Sequence, residues 1–460
     1  MRAIVVGAGD VGYDVARLLS HQRHDVAVID TDPEKVEHIS ETLDVMALVG
    51  SGTSMETLSS ARIRDADLMV AVTDVDEVNI IASMMAERAG KPDGATITIA
   101  RVRSEDYTGE QSVLSLDELG IDLIIHPEES TAAEVIALLR RAAATDVIDF
   151  CGGRAQLVGI RIDRTVPIIG IPLHEIAKRN ANLDFRVMGI VRGVRTIIPD
   201  GNATLHKNDQ IFVISPTDQA DEVANLFGRE GRRLERCMIL GGTNVGARIA
   251  AGLASKKRRD GGMGVKLVEA DRARAEYLAE VLEGVLVIHG DPSDIDLLVR
   301  EGLTETDAVV AVTEDEESNL VSCLMAKHLE VRKTVAQLSK SGYIPISQSI
   351  GLDAAVSQKL AVSREVLRFL RGAHVRSVAT VHGLDAEILE LEAAPDSPIT
   401  KSALMEQKLP KGTLVAAIDG GNVRIATGYT EIEPGERAIV FALPESANKI
   451  EPFFATNGKI

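Results

Sequence analysis

The chain is written twice. Val5-Val6-Gly7-Ala8-Gly9-Asp10-Val11-Gly12 returns as Ile239-Leu240-Gly241-Gly242-Thr243-Asn244-Val245-Gly246, an offset of 234. The stretch Asp67–Thr73 returns as Asp307–Thr313, an offset of 240, and each Thr is followed by Glu four and Asn six residues on: Glu77 and Asn79, Glu317 and Asn319. Gly120-Ile121-Asp122 returns as Gly351-Leu352-Asp353 at 231, and Lys207-Asn208-Asp209, ahead of a strand, as Pro434-Gly435-Glu436 at 227. Four landmarks in one order with a slowly drifting offset mark a tandem duplication. Two unrelated domains of one class would not share all four.

Within each half the texture changes. Residues 1–140 alternate short apolar runs (IVVG, VAVID, LMVAVT, TITIA) with helix-like segments, the pattern of a parallel sheet with crossover helices. Residues 145–227 are strand-rich (QLVGIRI, FRVMGIVRG, TIIPDG, QIFVIS), with one short helix near Leu173–Arg179, and read as a small α+β module. The charged stretch Gly228–Arg236 reads as a linker, and the order repeats over 236–370 and 376–455. The expected fold class is α/β: two Rossmann-like parallel-sheet domains, each followed by a small α+β module. Length alone, at roughly 150 residues per domain, suggests about three domains; the repeat asks for four smaller ones.

Composition narrows function. A net charge of -19 argues against broad nucleic-acid binding, which needs a basic footprint. Aromatics total 3% with no Trp, too few for a base-stacking platform or a sugar cleft. Cys151, Cys237 and Cys323 lie far apart, so neither a metal site nor a disulfide framework is expected, and a reducing cytoplasm is the expected setting. The N-terminus runs straight into a strand rather than a signal peptide, and no apolar stretch approaches the ~20 residues that span a bilayer.

Gly7-x-Gly9-x-x-Gly12 follows a strand and opens a helix. The first glycine permits the turn, the second lets a pyrophosphate approach the backbone, and the third packs helix on strand; the helix N-terminus then offers free N–H groups to phosphate. A tight turn without ligand would look the same, but Asp30 ends the next strand, where an acid bonds the adenine ribose hydroxyls. Asp30 would repel a 2′-phosphate, so NADP is disfavoured; NAD, ATP and ADP share the same adenosine. In the second half Thr243 replaces the middle glycine and sets a Cβ in the phosphate path, while Glu269 can still hold the ribose. Thr73 and Thr313 end the fourth strands, as ligand contacts or as helix caps. Arg101 can reach a phosphate or remain a solvated strand-end charge, and Gln337 stands near its equivalent place, at best a neutral donor. The run Lys256–Arg259 fits the C-terminal end of a helix better than a membrane or nucleic-acid patch.

A dehydrogenase needs an acid or base beside the nicotinamide. His174 aligns with Met405 and His206 with Glu433, so no histidine of one small module recurs in the other, and neither module shows a Ser/His/Asp or Cys/His constellation. An NAD-dependent oxidoreductase built on scattered residues remains the alternative reading. GAGDVG with VIDTD, the two AVTxxxExN stretches, and Val166–Leu173 with IIPDGNATLHKNDQIFVI resemble the regulator-of-potassium-conductance (RCK) family over nearly the whole chain. The resemblance implies a non-enzymatic, cytoplasmic regulator, peripheral on the inner face of the membrane, that gates a TrkH- or TrkG-like potassium-translocating partner allosterically. It implies NAD(H) and ATP/ADP as ligands and a homotetrameric ring of Rossmann domains. It carries nucleotide contacts to Gly7, Ala8, Gly9, Asp10, Val11, Asp30, Thr73, Asp74 and Arg101 in the first half. In the second half it carries them to Gly241, Gly242, Thr243, Asn244, Val245 and Glu269, with Gly12 and Gly246 completing the two loops.

Overall fold

The computed structural model describes residues 1–455 except 22, 91–95, 105–106, 108–117, 141–143, 163–165, 194, 229–233, 255–262, 340–342, 344–346, 348–349, 371–374 and 381–385. The basic run Lys256–Arg259 and most of the linker 228–236 lie outside the described residues.

The apolar runs of the first half form six parallel strands: β1 (Arg2–Val6), β2 (Asp25–Asp30), β3 (Met46–Val49), β4 (Leu68–Ala71), β5 (Ile97–Arg101) and β6 (Leu123–Ile125), hydrogen-bonded in the order β3-β2-β1-β4-β5-β6. Helices α1 (Asp10–His21), α2 (Pro33–Thr42), α3 (Met55–Ser60) and α4 (Asp76–Ala89) follow successive strands. Two buried clusters hold the sheet: Val5, Val28 and Val70 share one with Val15 and Leu19 of α1, while Ile4, Ile29 and Met69 share another with Leu58 and Ala82. Burial on both faces explains why these strands read as unbroken apolar runs rather than alternating ones. Strand order reverses at β1, which lies between β2 and β4, and this switch point opens a crevice at the carboxyl ends of the strands.

After α5 (Pro127–Arg140) the chain changes architecture. Strands β7 (Ala144–Phe150), β8 (Ala155–Arg161), β9 (Arg186–Arg192), β10 (Arg195–Ile197) and β11 (Gln210–Pro216) pair antiparallel in the order β10-β9-β11-β8-β7, with helices α6 (Leu173–Arg179) and α7 (Ala220–Phe227). The short helix expected near 173–179 is α6.

The pattern then repeats. Strands β12 (Arg236–Leu240), β13 (Gly264–Glu269), β14 (Val285–His289), β15 (Ala308–Ala311), β16 (Lys333–Gln337) and β17 (Ala354–Val356) form a parallel sheet with the same order of strands. Its helices are α8 (Asn244–Ala254), α9 (Arg272–Val281), α10 (Ile295–Arg300) and α11 (Glu316–His328), and α12 (Gln358–Leu370) leads out of it. Strands β18 (Val375–Thr380), β19 (Glu387–Glu392), β20 (Thr413–Asp419), β21 (Val423–Ile425) and β22 (Arg437–Ala442) then form a five-stranded antiparallel sheet in the order β18-β19-β22-β20-β21, closed by α13 (Pro444–Phe454). Read from its other edge, that order is the same as in the first small module.

Packing groups these pieces in a way that chain order does not. One compact unit is Met1–Ser130 with Ser357–Leu370; the other is Thr131–Val356 with Arg371–Ile460. In the first unit α12, the exit helix of the second half, lies along α1, where Val362 and Val366 are fully buried among Val15, Ala16 and Leu19. In the second unit α5, the exit helix of the first half, buries Val135, Leu138 and Leu139 in a cluster with Val245, Ile249 and Leu253 of α8. Each Rossmann sheet is therefore covered by the other half's exit helix, across the expected divisions at 140 and 370. Within the second unit the two small sheets meet face to face: Leu157, Met188, Phe212 and Ile214 of one pack with Ile388, Ala417, Ile439 and Phe441 of the other. At the rim Arg154 pairs with Asp419, and Glu390 accepts the Cys151 amide at 3.0 Å. Burial, with Glu390 and Asp419 nearby, pushes the Cys151 thiol up to about 12, so it sits there as an apolar side chain.

Candidate nucleotide sites

In the first half the turn from β1 into α1 is fixed by two glycines and left open by the third. Gly7 has φ +106, a left-handed conformation that side chains disfavour. A Cβ on Gly12 would stand 1.8 Å from the Gly7 carbonyl oxygen. A Cβ on Gly9 would meet nothing within 4 Å. Among the described residues no packing calls for glycine there. Behind it, Asp30 at the end of β2 accepts the Ala8 amide at 2.6 Å and the Asp32 amide at 2.9 Å, which fixes the carboxylate beside the loop. Val11 packs partly against the core. Asp10 is exposed and meets Lys359 Nζ at 3.1 Å.

The threonine at the end of the fourth strand also has a structural task. Its hydroxyl donates to Asn79 Oδ1 at 2.7 Å, and the same oxygen accepts the Thr73 amide at 2.9 Å. Asn79, fully buried on α4, then donates to the carbonyls of Thr73 (3.0 Å) and Arg101 (2.8 Å), tying the ends of β4 and β5 together. Thr313 and Asn319 repeat this arrangement at 2.6 and 2.9 Å, and Asn319 reaches the Gln337 carbonyl at 3.2 Å. The N-cap positions lie elsewhere, at Val75, which makes no side-chain cap bond, and at Asp315, which accepts the Glu317 amide. The repeated Asn was visible in the sequence as a landmark only; its role as a clamp needed the strand ends in space. Arg101 is buried and bonded to Asp74 at 3.2 Å and Glu128 at 2.8 Å, so its charge is already matched.

The second loop keeps the geometry with different residues. Glu269 Oε2 accepts the Gly242 amide at 2.6 Å, the bond that Asp30 makes to Ala8. The longer acid needs room: a Cβ on Gly242 would lie 2.6 Å from Glu269 Oε2. Ala8 with Asp30 and Gly242 with Glu269 are two size-matched solutions to one contact. Thr243 turns its hydroxyl into the protein, donating to the Val312 carbonyl at 2.9 Å and accepting the Gly246 amide at 3.2 Å, an N-cap for α8. In front lies a cavity of about 550 Å³ lined by Gly241, Thr243, Asn244, Glu269, Arg274 and Thr313, among others, a volume that suits a small ligand.

Arg274 is the residue that sequence reasoning missed. Its Nε donates to the Gly242 carbonyl at 3.0 Å and its Nη2 to Asn244 Oδ1 at 3.1 Å, so a guanidinium lies on the second loop. Gln337 is thus not the one polar side chain to weigh in the second half, because Arg274 adds a cation beside the loop. The available signal was a basic residue five positions beyond the strand-end acid: Lys35 after Asp30, Arg274 after Glu269. Asp291, also lining the cavity, is held below the usual carboxylate range by the hydroxyl and amide of Ser293.

The TrkA-N domain model matches residues 3–127 and 237–358, and the TrkA-C domain model matches 157–228. The chain is 35% identical over 458 residues to the Trk system potassium uptake protein TrkA homolog 2 of Methanosarcina mazei, covering 99% of this chain and 100% of the relative. It is 32% identical over 455 residues to the TrkA homolog of Archaeoglobus fulgidus, with 99% and 100% covered. The chain belongs to the TrkA family. Within that family frame the second small module, which the TrkA-C model does not match, is a repeat of the first by strand order. Among solved structures, the GsuK RCK domain aligns with a TM-score of 0.60 at 18% identity, covering 98% of this chain and 94% of that one. The GsuK channel bound to NAD aligns at 0.62, with 18% identity and coverage of 98% and 78%. At such identity the likeness is one of fold. Among the described residues no helix of this TrkA-family chain is long and apolar enough to cross a membrane.

Proposed function

We propose that the chain is a nucleotide-sensing regulatory subunit of a potassium-uptake system, with no catalytic role of its own. Its ligands are NAD(H) and the adenine nucleotides ADP and ATP, bound at the carboxyl edge of each Rossmann sheet. The glycine loops and helix N-termini hold phosphate, and Asp30 and Glu269 hold ribose hydroxyls. The observation that carries this reading is Gly9, a glycine whose missing Cβ faces open space beside an anchored Asp30. GsuK, of the same fold, has been solved with NAD and, aligning at a TM-score of 0.50, with ADP. A ligand shifts an assembly only by binding two arrangements with different affinity. Nucleotide occupancy therefore biases the arrangement of domains in a homotetrameric ring, and a TrkH- or TrkG-like membrane subunit reads that arrangement. His174 is bonded to the Gly201 carbonyl at 2.7 Å and His206 stands beside Thr204, both within the first small module.

Isothermal titration of the full chain with NADH, NAD, ADP, ATP and NADPH tests the reading. Binding of the first four with NADPH much weaker is expected. Binding of none of them, or tight binding of NADPH, refutes it.

A further inference from the structure

Lys359 is the second residue of α12, the helix that the second half places on α1. It precedes the fully buried Val362 by three positions, so it belongs to the face that packs on α1. Its side chain is 13% exposed, and its Nζ lies 3.1 Å from Asp10 Oδ2; no other charged partner for it is seen among the described residues. Asp10 is the first residue of α1 and directly follows Gly9, whose absent Cβ looks into open space. Removing a lysine stem from water for a single carboxylate that is itself 76% exposed stabilises little. The pair is better understood by where it stands. An ammonium is held one carboxylate away from the N-terminus that would receive phosphate, and the Asp10 carboxylate itself repels that phosphate.

Another cation near the first sheet's edge is committed. Arg101 is buried between Asp74 and Glu128. Glu128 is the residue that corresponds to Lys359 at the offset of 231 set by Gly120 and Gly351, so the two exit helices carry opposite charges at one repeat position.

We propose that Lys359 is the phosphate-contacting cation of the first nucleotide site, held by Asp10 until a pyrophosphate-bearing ligand draws it away. The inference rests on the nucleotide reading above. It makes the first site dependent on a residue written in the second half of the chain, so a displacement of α12 along α1 changes the affinity of the first site for phosphate. A role limited to packing would affect every ligand alike. A phosphate contact affects only ligands that carry phosphate.

The test uses the full chain and two probes, ADP by direct titration and adenosine by displacement of ADP. The first-site component is identified as the one weakened in Asp30→Ala. Lys359→Gln is expected to weaken ADP at that component about tenfold, as for loss of one charge-assisted bond, with adenosine unchanged and Lys359→Arg restoring most of the loss. Asp10→Asn, a change at an exposed position, is expected to tighten ADP a few-fold and leave adenosine alone. Unchanged ADP affinity in Lys359→Gln, an equal loss for adenosine, or unaltered ADP binding in Asp10→Asn overturns the proposal and leaves the nucleotide reading standing. If wild-type protein binds neither probe but still binds NADH, this inference falls and the nucleotide reading stands; if it binds no nucleotide at all, both fall.

Discussion

Single residues decide what each loop can hold. Asp30 anchors the Ala8 amide, and in the function proposed above it also holds the ribose. Asp30→Ala is therefore expected to weaken NADH binding by about 1–3 kcal/mol, the scale for losing a hydrogen-bonded charge. It should also lower stability, because the Ala8 amide loses its partner; titration and a denaturant curve separate the two effects. In the second loop the side chain at the middle position is part of the fold. Thr243→Val keeps the volume and removes the cap, and should cost about 1 kcal/mol of stability, read as a lower denaturation midpoint. Arg274→Ala should weaken phosphate-bearing ligands at the second cavity more than adenosine; equal effects on both would mean that the guanidinium only braces the loop. The glycines and strand-end acids were legible because backbone chemistry restricts those positions to few residue types. Arg274 was not, since a cation on a helix surface looks the same whether it faces solvent or the neighbouring loop.

Elements tell a complementary story. Parallel strands buried on both faces and the short helix Leu173–Arg179 were readable from apolar runs and their spacing. The exchange of α5 and α12 was not, because the spacing of apolar positions along a helix reveals which face is buried but is silent on what it is buried against. The fully buried Val366 provides a test: Val366→Ala should destabilise the full chain by about 2 kcal/mol, through lost apolar transfer and a residual cavity. A loss within a few tenths of zero would mean that α12 does not pack on α1 in solution. A second tie between elements responds to pH. The Lys333 amine, fully buried at the start of β16, donates to the Ala144 carbonyl at the start of β7. Burial lowers its pKa from 10.5 to about 8, with Asp353 and Asp146 opposing the shift and Lys327 adding to it. Between about pH 8 and 10.5 the unfolded chain thus holds more protons than the folded one, so this group makes stability rise with pH across that window; below pH 8 its burial penalty is fully present. Denaturation of wild type and Lys333→Met at pH 7.5, 8.5 and 9.5 should show the difference moving toward wild type as pH rises. A difference independent of pH would place the titration elsewhere.

At the scale of the whole molecule, a regulator and a dehydrogenase make opposite forecasts. Purified protein mixed with NADH and a panel of small oxo- and hydroxy-acids should leave the absorbance of the cofactor steady, since the sequence of neither small module shows a Ser/His/Asp or Cys/His constellation. Sustained, substrate-dependent oxidation would promote the oxidoreductase reading. Light scattering should give the mass of four chains, and a stable monomer with full nucleotide affinity would argue against a ring as the responding assembly. Duplication itself was plain in the sequence, because landmarks recurring in order survive divergence of the residues between them. What the linear pattern could not convey is that each copy's Rossmann sheet packs with the other copy's exit helix. When two identical subunits trade helices, any letter changed in the helix is changed at both sites, and the pair is bound to remain symmetric. Joining the copies end to end removes that bond. Glu128 and Lys359 occupy the same place in the repeat with opposite charge, a combination that no pair of identical subunits could encode. The fused chain thus holds two independently editable versions of one position, and with them the freedom to become a detector whose two inputs are not interchangeable.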